Sequence, residues 1–162
     1  MHYVLDTNFF VDSRVYYPGT FPSFWKRMDA AVSQNVISSV KEVQNELVRY
    51  EGHQDHLLDW IKNHKHIFTA PKHAEQSRVV EILAISRFRQ GLVRNKQILK
   101  GYPAADPFVI AKAWAMGGVV VTTEVLDVGK NTPKIKIPNV CEHFGIRHVH
   151  PEKFMQEVGW QF

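Results

Sequence analysis

Four acidic side chains occupy positions from which they could meet at one edge of a folded sheet. Asp6 directly follows a short apolar stretch, and Glu124 directly follows another. Asp106 stands at the start of the helical pattern that leads into this second stretch, and Glu46 lies about two turns into the helix after a third. Because ligands of open parallel sheets bind beyond the carboxyl ends of the strands, we expect these carboxylates to share one crevice.

The chemistry that such a cluster supports is the binding of a hard cation. Neighbouring carboxylates raise one another's pKa, and a divalent ion such as Mg²⁺ or Mn²⁺ makes their approach favourable. A carboxylate-held pair of metal ions, typically about 3.5–4 Å apart, can activate water and stabilise a phosphodiester transition state. The four acids therefore predict metal-dependent hydrolysis of a phosphoryl bond.

Ordinary structural roles are open to the same residues. Asp106 precedes Pro107, as an N-cap residue precedes a proline in the first turn of a helix. Asp6 could cap a turn after its strand. Both acids are thus explained by helix or turn formation as well as by catalysis.

Two further acids compete for places in the predicted site. Glu42 lies one helical turn before Glu46 on nearly the same face, and periodicity alone does not choose between them. Asp127 follows Glu124 by three residues in the same polar loop. Glu42 and Asp127 are therefore kept as possible additional acids.

Composition places the chain among ordinary globular proteins. Its length of 162 residues predicts a single domain, residues 1–162. Hydrophobic residues make up 44% of the chain and charged residues 22%, a composition that excludes a disordered chain. No apolar run is long enough for a membrane span, and the first residues lack the features of a signal peptide. The one cysteine, Cys141, can form no internal disulfide, so a reducing cytoplasm is the simplest compartment.

Short apolar stretches alternate with helical patterns along the chain. This alternation predicts an α/β fold, a sandwich around a mainly parallel sheet of about four to five strands with helices on both faces. The predicted strands are residues 2–5, 35–38, 119–122 and 147–149. The predicted helices begin near residues 22, 39, 54, 73, 105, 138 and 151, and the one at 73 continues to 89.

A strip with no acidic residue runs from residue 82 to 105, in a chain whose net charge is +4. It could follow a phosphate backbone, and it could equally be a solvated helix face with its loop. The basic residues of this strip, which are candidates for phosphate contacts, are Arg87, Arg89, Arg94, Lys96 and Lys100. Aromatic residues near the first acid could stack on unpaired bases or simply pack in the core, namely Tyr16, Tyr17, Phe21 and Trp25.

The nine histidines offer a rival metal site. Close spacings among His53, His56, His64 and His66, with His73 beyond, are short enough for zinc ligand pairs. No cysteine accompanies them, so solvated or capping roles are favoured. His148 and His150 alternate around a strand residue and are expected at its rim.

Three local sequences resemble the PIN-domain ribonucleases, in the family's order and over nearly the whole chain. Residues 3–10 (YVLDTNFF) resemble the opening strand with its metal-binding aspartate. Residues 38–47 (SSVKEVQNEL) resemble the second motif, which favours Glu46 over Glu42. Residues 105–111 (ADPFVIA) and 119–124 (VVVTTE) resemble the third and fourth motifs. Residues 134–141 resemble a PIN subgroup associated with toxin–antitoxin operons.

This resemblance implies a three-layer PIN-like sandwich and a toxin-type ribonuclease. Its metal ligands and catalytic acids would be Asp6, Glu46, Asp106 and Glu124, with Asn8, Thr122 and Thr123 bracing them. It also implies Mg²⁺ or Mn²⁺ as cofactor, RNA as substrate, a cognate antitoxin protein as inhibitor, and possible homodimers. Glu124 stands where the family usually has aspartate, so we expect a retuned metal position there.

Two alternatives remain open from the sequence. A phosphatase could form an aspartyl-phosphate on Asp6, but such enzymes usually carry a second aspartate where this chain has Asn8. A catalytically degenerate PIN module would bind RNA or a protein partner without cleaving, and the glutamate at position 124 is compatible with it.

Overall fold

The computed structural model describes residues 1–49, 55–93, 103–129 and 135–162. The strands are β1 (Tyr3–Leu5), β2 (Ile37–Val40), β3 (Phe68–Thr69), β4 (Val119–Val121) and β5 (His148–Val149). The helices are α1 (Thr7–Asp12), α2 (Pro22–Ser33), α3 (Lys41–Arg49), α4 (His56–Asn63), α5 (His73–Ala84), α6 (Ser86–Leu92), α7 (Asp106–Met116), α8 (Ile137–Phe144) and α9 (Pro151–Glu157).

The five strands form one parallel sheet in the order β3-β2-β1-β4-β5. The chain moves outward from β1 to β3 and then returns past β1 to β4 and β5. Since crossovers between parallel strands are right-handed, the two directions place their helices on opposite faces of the sheet. The predicted three-layer α/β architecture is confirmed, and β1 lies at its centre.

Buried apolar side chains join the layers. The residues of β1 and β4 are at most 3% exposed, as expected for strands covered on both faces. On one face α7 packs across β1, β2 and β4. On the other, Phe154 of α9 contacts Tyr3 and Phe9 edge to face, with ring centroids 4.9 and 5.8 Å apart. The carboxyl ends of the strands are therefore held rigidly between two layers.

Four local features differ from the sequence-based expectation. Strand β2 covers residues 37–40 instead of 35–38, and α3 begins at 41 instead of near 39, because the chain still turns at Asn35, whose backbone is left-handed (φ 53°). The helix predicted over 73–89 is interrupted at Ile85, whose extended backbone (φ −81°, ψ 110°) separates α5 from α6. Helix α1 begins at Thr7, almost directly after β1, where no helix is predicted from the sequence. The edge strand β3 is two residues long, too short for an alternating pattern to reveal it.

No helix in the described ranges is long and apolar enough to cross a membrane.

Candidate active site

Asp6 lies at the carboxyl end of the central strand and serves as the N-cap of α1. Its Oδ1 accepts hydrogen bonds from the backbone N–H groups of Asn8 and Phe9, the latter at 3.3 Å. Its Oδ2 accepts a 2.5 Å hydrogen bond from the hydroxyl of Thr122, just beyond the neighbouring strand β4. The side chain is thus fixed by three donors, and Asp6 is only 2% exposed.

Burial raises the pKa of Asp6 to about 6, and the nearby charge of Glu124 adds to the increase. The hydrogen bonds from Thr122, Asn8 and Phe9 act in the opposite direction because they stabilise the ionised carboxylate. A buried carboxyl with this pKa favours either a proton or a cation at the site.

Glu124 reaches the same region from β4. Its backbone N–H donates to the Thr122 hydroxyl at 3.1 Å, so one hydroxyl links Asp6 to the backbone of Glu124. The Glu124 carboxylate uses Oε2 to accept a 2.8 Å hydrogen bond from the N–H of Ile137, the first residue of α8. Glu124 therefore also satisfies a helix N-terminus. Thr123, between the two, is half-buried.

Glu46 approaches from the other side of β1. Its Oε2 accepts a 2.5 Å hydrogen bond from the hydroxyl of Thr7, the residue after Asp6. Its Oε1 accepts a 3.1 Å hydrogen bond from the N–H of Ala105, the residue before Asp106. Two bonds from one carboxylate thus tie α3 to both the first and the third motif.

Asp106 is the first residue of α7 and is half-buried. The N-cap of this helix is Ala105, so the interpretation of Asp106 as an N-cap is wrong. Pro107 in the first turn needs no hydrogen-bond acceptor for its nitrogen, which allows the helix to begin there. The Ala105–Glu46 bond holds the start of α7 beside Glu46.

The two additional acids have other surroundings. Glu42 is 8% exposed, and the charges that act on it are, in decreasing order, those of Glu75, Glu46 and Lys112. Burial raises its pKa, and its Oε2 has no hydrogen-bond partner among the described residues. Asp127 accepts a 2.9 Å hydrogen bond from the N–H of Gly129.

The donor set fits a hard cation in kind, because Asp6 is a buried carboxyl with a raised pKa on which the charge of Glu124 also acts. In the described ranges, however, no three His, Cys, Asp or Glu side chains lie together in an arrangement that could hold a metal ion. Several of the candidate carboxylate oxygens are instead engaged by N–H and hydroxyl donors, as described above. The structure thus brings the predicted acids to one edge of the sheet without forming a closed cage.

The predicted basic strip is described only in its first part. Arg87 and Arg89 are exposed on α6, and Arg87 donates a 3.2 Å hydrogen bond to Nδ1 of His143 near the end of α8. Glu124 contacts the start of α8, and six residues of helix separate the two contacts by about 9 Å along its axis. Arg94, Lys96 and Lys100 lie outside the described residues.

The histidines and aromatic residues have mainly structural partners. His64 stacks on Trp60 with centroids 4.2 Å apart and lies 3.3 Å from a carboxylate oxygen of Asp29. His148 lies 3.0 Å from Glu142. Trp25 is buried and donates from its indole nitrogen to the backbone oxygen of Tyr16, whereas Tyr17 and Phe21 are exposed. His53 lies outside the described residues.

Sequence reasoning missed Thr7 as a member of the site. Its position directly after Asp6 gave the only available signal, because its partner Glu46 is 39 residues away along the chain. Asn8 is exposed and donates its backbone N–H to the carboxylate of Asp6.

The parallel sheet with acids beyond its central strands defines a PIN-like α/β protein. The family model described as "Domain of unknown function (DUF4411)" matches residues 3–162, and the chain belongs to this family. A solved structure described as "Crystal structure of VapBC2 from Rickettsia felis bound to a DNA fragment from their promoter" contains a similar chain, with a TM-score of 0.51 and 14% sequence identity. The similarity covers 93% of this chain and 98% of that chain, and it establishes the likeness in fold. A search of curated proteins gave no match.

Proposed function

We propose that this protein is a metal-dependent endoribonuclease and the toxin of a toxin–antitoxin pair. The observation that carries the proposal is the network of side-chain and backbone hydrogen bonds around Asp6 at the centre of the sheet. Thr122 connects Asp6 with Glu124 on one side, and Thr7 connects the adjoining residue with Glu46 on the other. These hydrogen bonds hold separate stretches of the sequence together at the carboxyl ends of the strands.

The residues that would hold Mg²⁺ or Mn²⁺ are Asp6, Glu46, Asp106 and Glu124. When bound, the ion would activate water and neutralise charge on the phosphodiester. Asp6 is the fixed member of this set, because three donors orient its carboxylate and burial excludes competing water. Glu46 and Glu124 lie on either side of it, each oriented by a backbone N–H.

RNA would be held in part by the basic residues of α6 and the segment that follows it. Arg87 is exposed and lies about 9 Å along α8 from the end that Glu124 contacts. We propose that Arg89 on the same helix, and Arg94, Lys96 and Lys100 later in the chain, also bind phosphates of the RNA.

A toxin of this kind requires an inhibitory protein, and covering the acidic crevice is the simplest form of inhibition. The similar chain comes from a structure named VapBC2, which supports a partnership of this type. We therefore propose a cognate antitoxin partner, with a homodimer as a further possible assembly and the cytoplasm as the compartment.

A second candidate is a module that binds RNA or a protein without cleaving it. The observation that favours it is the lack, among the described residues, of three acidic or histidine side chains placed to hold a metal. An aspartyl-phosphate mechanism is disfavoured because Asp6 is 2% exposed and both its oxygens accept hydrogen bonds.

Cleavage of end-labelled RNA separates these candidates. We expect cleavage in Mg²⁺ or Mn²⁺, none in EDTA, and none with Asp6→Asn. Asp59→Asn is the matched control, since Asp59 is exposed and pairs with Lys62 on α4. Cleavage that persists in EDTA or in Asp6→Asn would refute the proposed mechanism, and metal-independent binding without cleavage would favour the second candidate.

A further inference from the structure

A cavity of about 420 Å³ opens beside the candidate active site, between α1, α2 and α9. This volume is within the range of pockets that hold small organic ligands. It suits a single nucleoside and is too small for several nucleotides.

The cavity shares its wall with the acidic site. Phe9 lines it and also donates its backbone N–H to Asp6, at 3.3 Å. Thr123 lines it and stands between Thr122, which bonds Asp6, and Glu124. A chain that placed its phosphate at Asp6 would therefore bring an adjoining nucleotide to the mouth of the cavity.

The inner surface is aromatic and apolar. Tyr16 stacks on Phe24 with centroids 4.3 Å apart and planes inclined by 20°, and both line the cavity with Phe9 and Met155. Such an apolar, aromatic surface suits contact with an unpaired base.

The polar lining includes two acidic side chains. Asp12 and Glu152 are exposed residues that line the same cavity from α1 and α9, and the exposed His150, directly before α9, lines it as well. Ionised carboxylates accept hydrogen bonds and repel phosphate, so they favour a ligand group that presents N–H donors and carries no negative charge. Guanine offers two adjacent donors on one edge, N1–H and the N2 amino group, which match the two oxygens of a carboxylate; uracil offers one.

We propose that this cavity binds an unpaired guanine next to the scissile phosphate and so determines where RNA is cut. The inference rests on the proposed ribonuclease function and names a specificity pocket for it. The same lining could accept an arginine side chain of a protein partner, but the wall shared with Asp6 favours the RNA.

The test measures binding separately from cleavage. The wild-type chain in EDTA is titrated with uridine pentanucleotides that carry G, A, C or U at the centre, and anisotropy gives each dissociation constant. We expect the G-containing RNA to bind at least about tenfold more tightly than all-U RNA. Asp12→Asn with Glu152→Gln should reduce that preference to less than about threefold, and Glu81→Gln, an exposed acid on α5, should leave it unchanged.

A second measurement locates the base directly. Guanosine monophosphate, but not uridine monophosphate, should shift the methyl NMR signals of Thr123 and Met155. RNA that is bound or cut with no base preference, or with a preference unaffected by the double variant, would overturn the pocket and leave the ribonuclease proposal standing. Shifts of these signals by arginine amide and not by guanosine monophosphate would overturn it in favour of a protein ligand. Failure to bind any RNA, in Mg²⁺ as well as in EDTA, would overturn both proposals.

Discussion

The hydroxyl of Thr122 joins Asp6 and Glu124 across two neighbouring strands. It donates to Oδ2 of Asp6 at 2.5 Å and accepts from the N–H of Glu124 at 3.1 Å. A single hydroxyl thereby uses its donor and one of its lone pairs within the candidate site. Its donated bond lowers the pKa of Asp6, which burial alone would raise further.

We expect Thr122→Val to raise the pKa of Asp6 above the value of about 6 in the wild-type chain, because the ionised carboxylate loses a donor. Carbon-13 NMR of the Asp6 carboxyl, recorded against pH without metal, measures this directly. Thr122→Ser keeps the hydroxyl and is expected to titrate like the wild type. An unchanged midpoint in Thr122→Val would show that the hydrogen bond does not influence Asp6.

Asp6→Asn is expected to stabilise the fold at neutral pH while abolishing cleavage. The folded pKa of about 6 exceeds the ordinary value of 3.8, so the folded state binds more protons between these values. The free energy of unfolding therefore falls as pH rises from about 4 to about 6, by about 3 kcal/mol for a shift of this size. The asparagine side chain carries no charge and avoids this loss.

Urea unfolding in EDTA at pH 4 and pH 8 checks the sign. We expect the Asp6→Asn variant to exceed the wild type by up to about 3 kcal/mol at pH 8 and by much less at pH 4. Mn²⁺ at pH 8 should stabilise the wild type and not the variant, because a ligand stabilises only the state that binds it. A variant less stable than the wild type at pH 8 in EDTA would contradict the assignment of a raised pKa.

How far the sequence predicts this molecule depends on whether partners are local or distant. The positions of Asp6 and Glu124 could be predicted because each residue follows a short apolar stretch that is recognisable as a strand. The two strands are neighbours in the sheet, so their carboxyl ends lie side by side. The bond between Glu46 and the N–H of Ala105 could not be predicted, since 59 residues separate the partners. The cavity beside Tyr16 depends on α9, far away in sequence, and no local pattern indicates it.

Glu46→Gln and Glu42→Gln test the choice between the two acids of α3. Glu46 accepts hydrogen bonds from Thr7 and Ala105. A glutamine can accept from the Ala105 N–H with its amide oxygen and donate to the Thr7 hydroxyl with its amide nitrogen, while losing the charge. We expect cleavage to fall at least about 100-fold, or about 2.7 kcal/mol in transition-state energy. Glu42→Gln should retain cleavage within about threefold, because Glu46 and not Glu42 accepts the hydrogen bonds from Thr7 and Ala105. Equal losses in the two variants would place both acids in the site.

Charge reversal at Arg87 and Arg89 tests the basic surface of α6. Each arginine that no longer binds a phosphate should reduce the slope of log affinity against log salt concentration by about 0.7 for single-stranded RNA. We therefore expect Arg87→Glu with Arg89→Glu to flatten the slope by about 1.4 if both side chains bind phosphates. Lys65→Glu, an exposed lysine before β3, is the control for net charge. An unchanged slope in the double variant would remove α6 from the RNA-binding surface.

Glu124 combines a structural and a chemical role that two substitutions can separate. Its Oε2 accepts the N–H of Ile137 at the start of α8, where a negative charge is also favoured by the helix dipole. Glu124→Gln can keep the hydrogen bond and removes the charge, so we expect little loss of stability but at least a tenfold loss of cleavage. Glu124→Asp keeps the charge but is one methylene shorter, so the bond to Ile137 should break at a cost of about 0.5–2 kcal/mol, as for the loss of a helix cap.

Because aspartate is the acid usual at this position in the family that the sequence resembles, we expect Glu124→Asp to retain metal-dependent cleavage. Urea unfolding and RNA cleavage of both variants measure the two roles, and full activity of Glu124→Gln would exclude Glu124 from the chemistry.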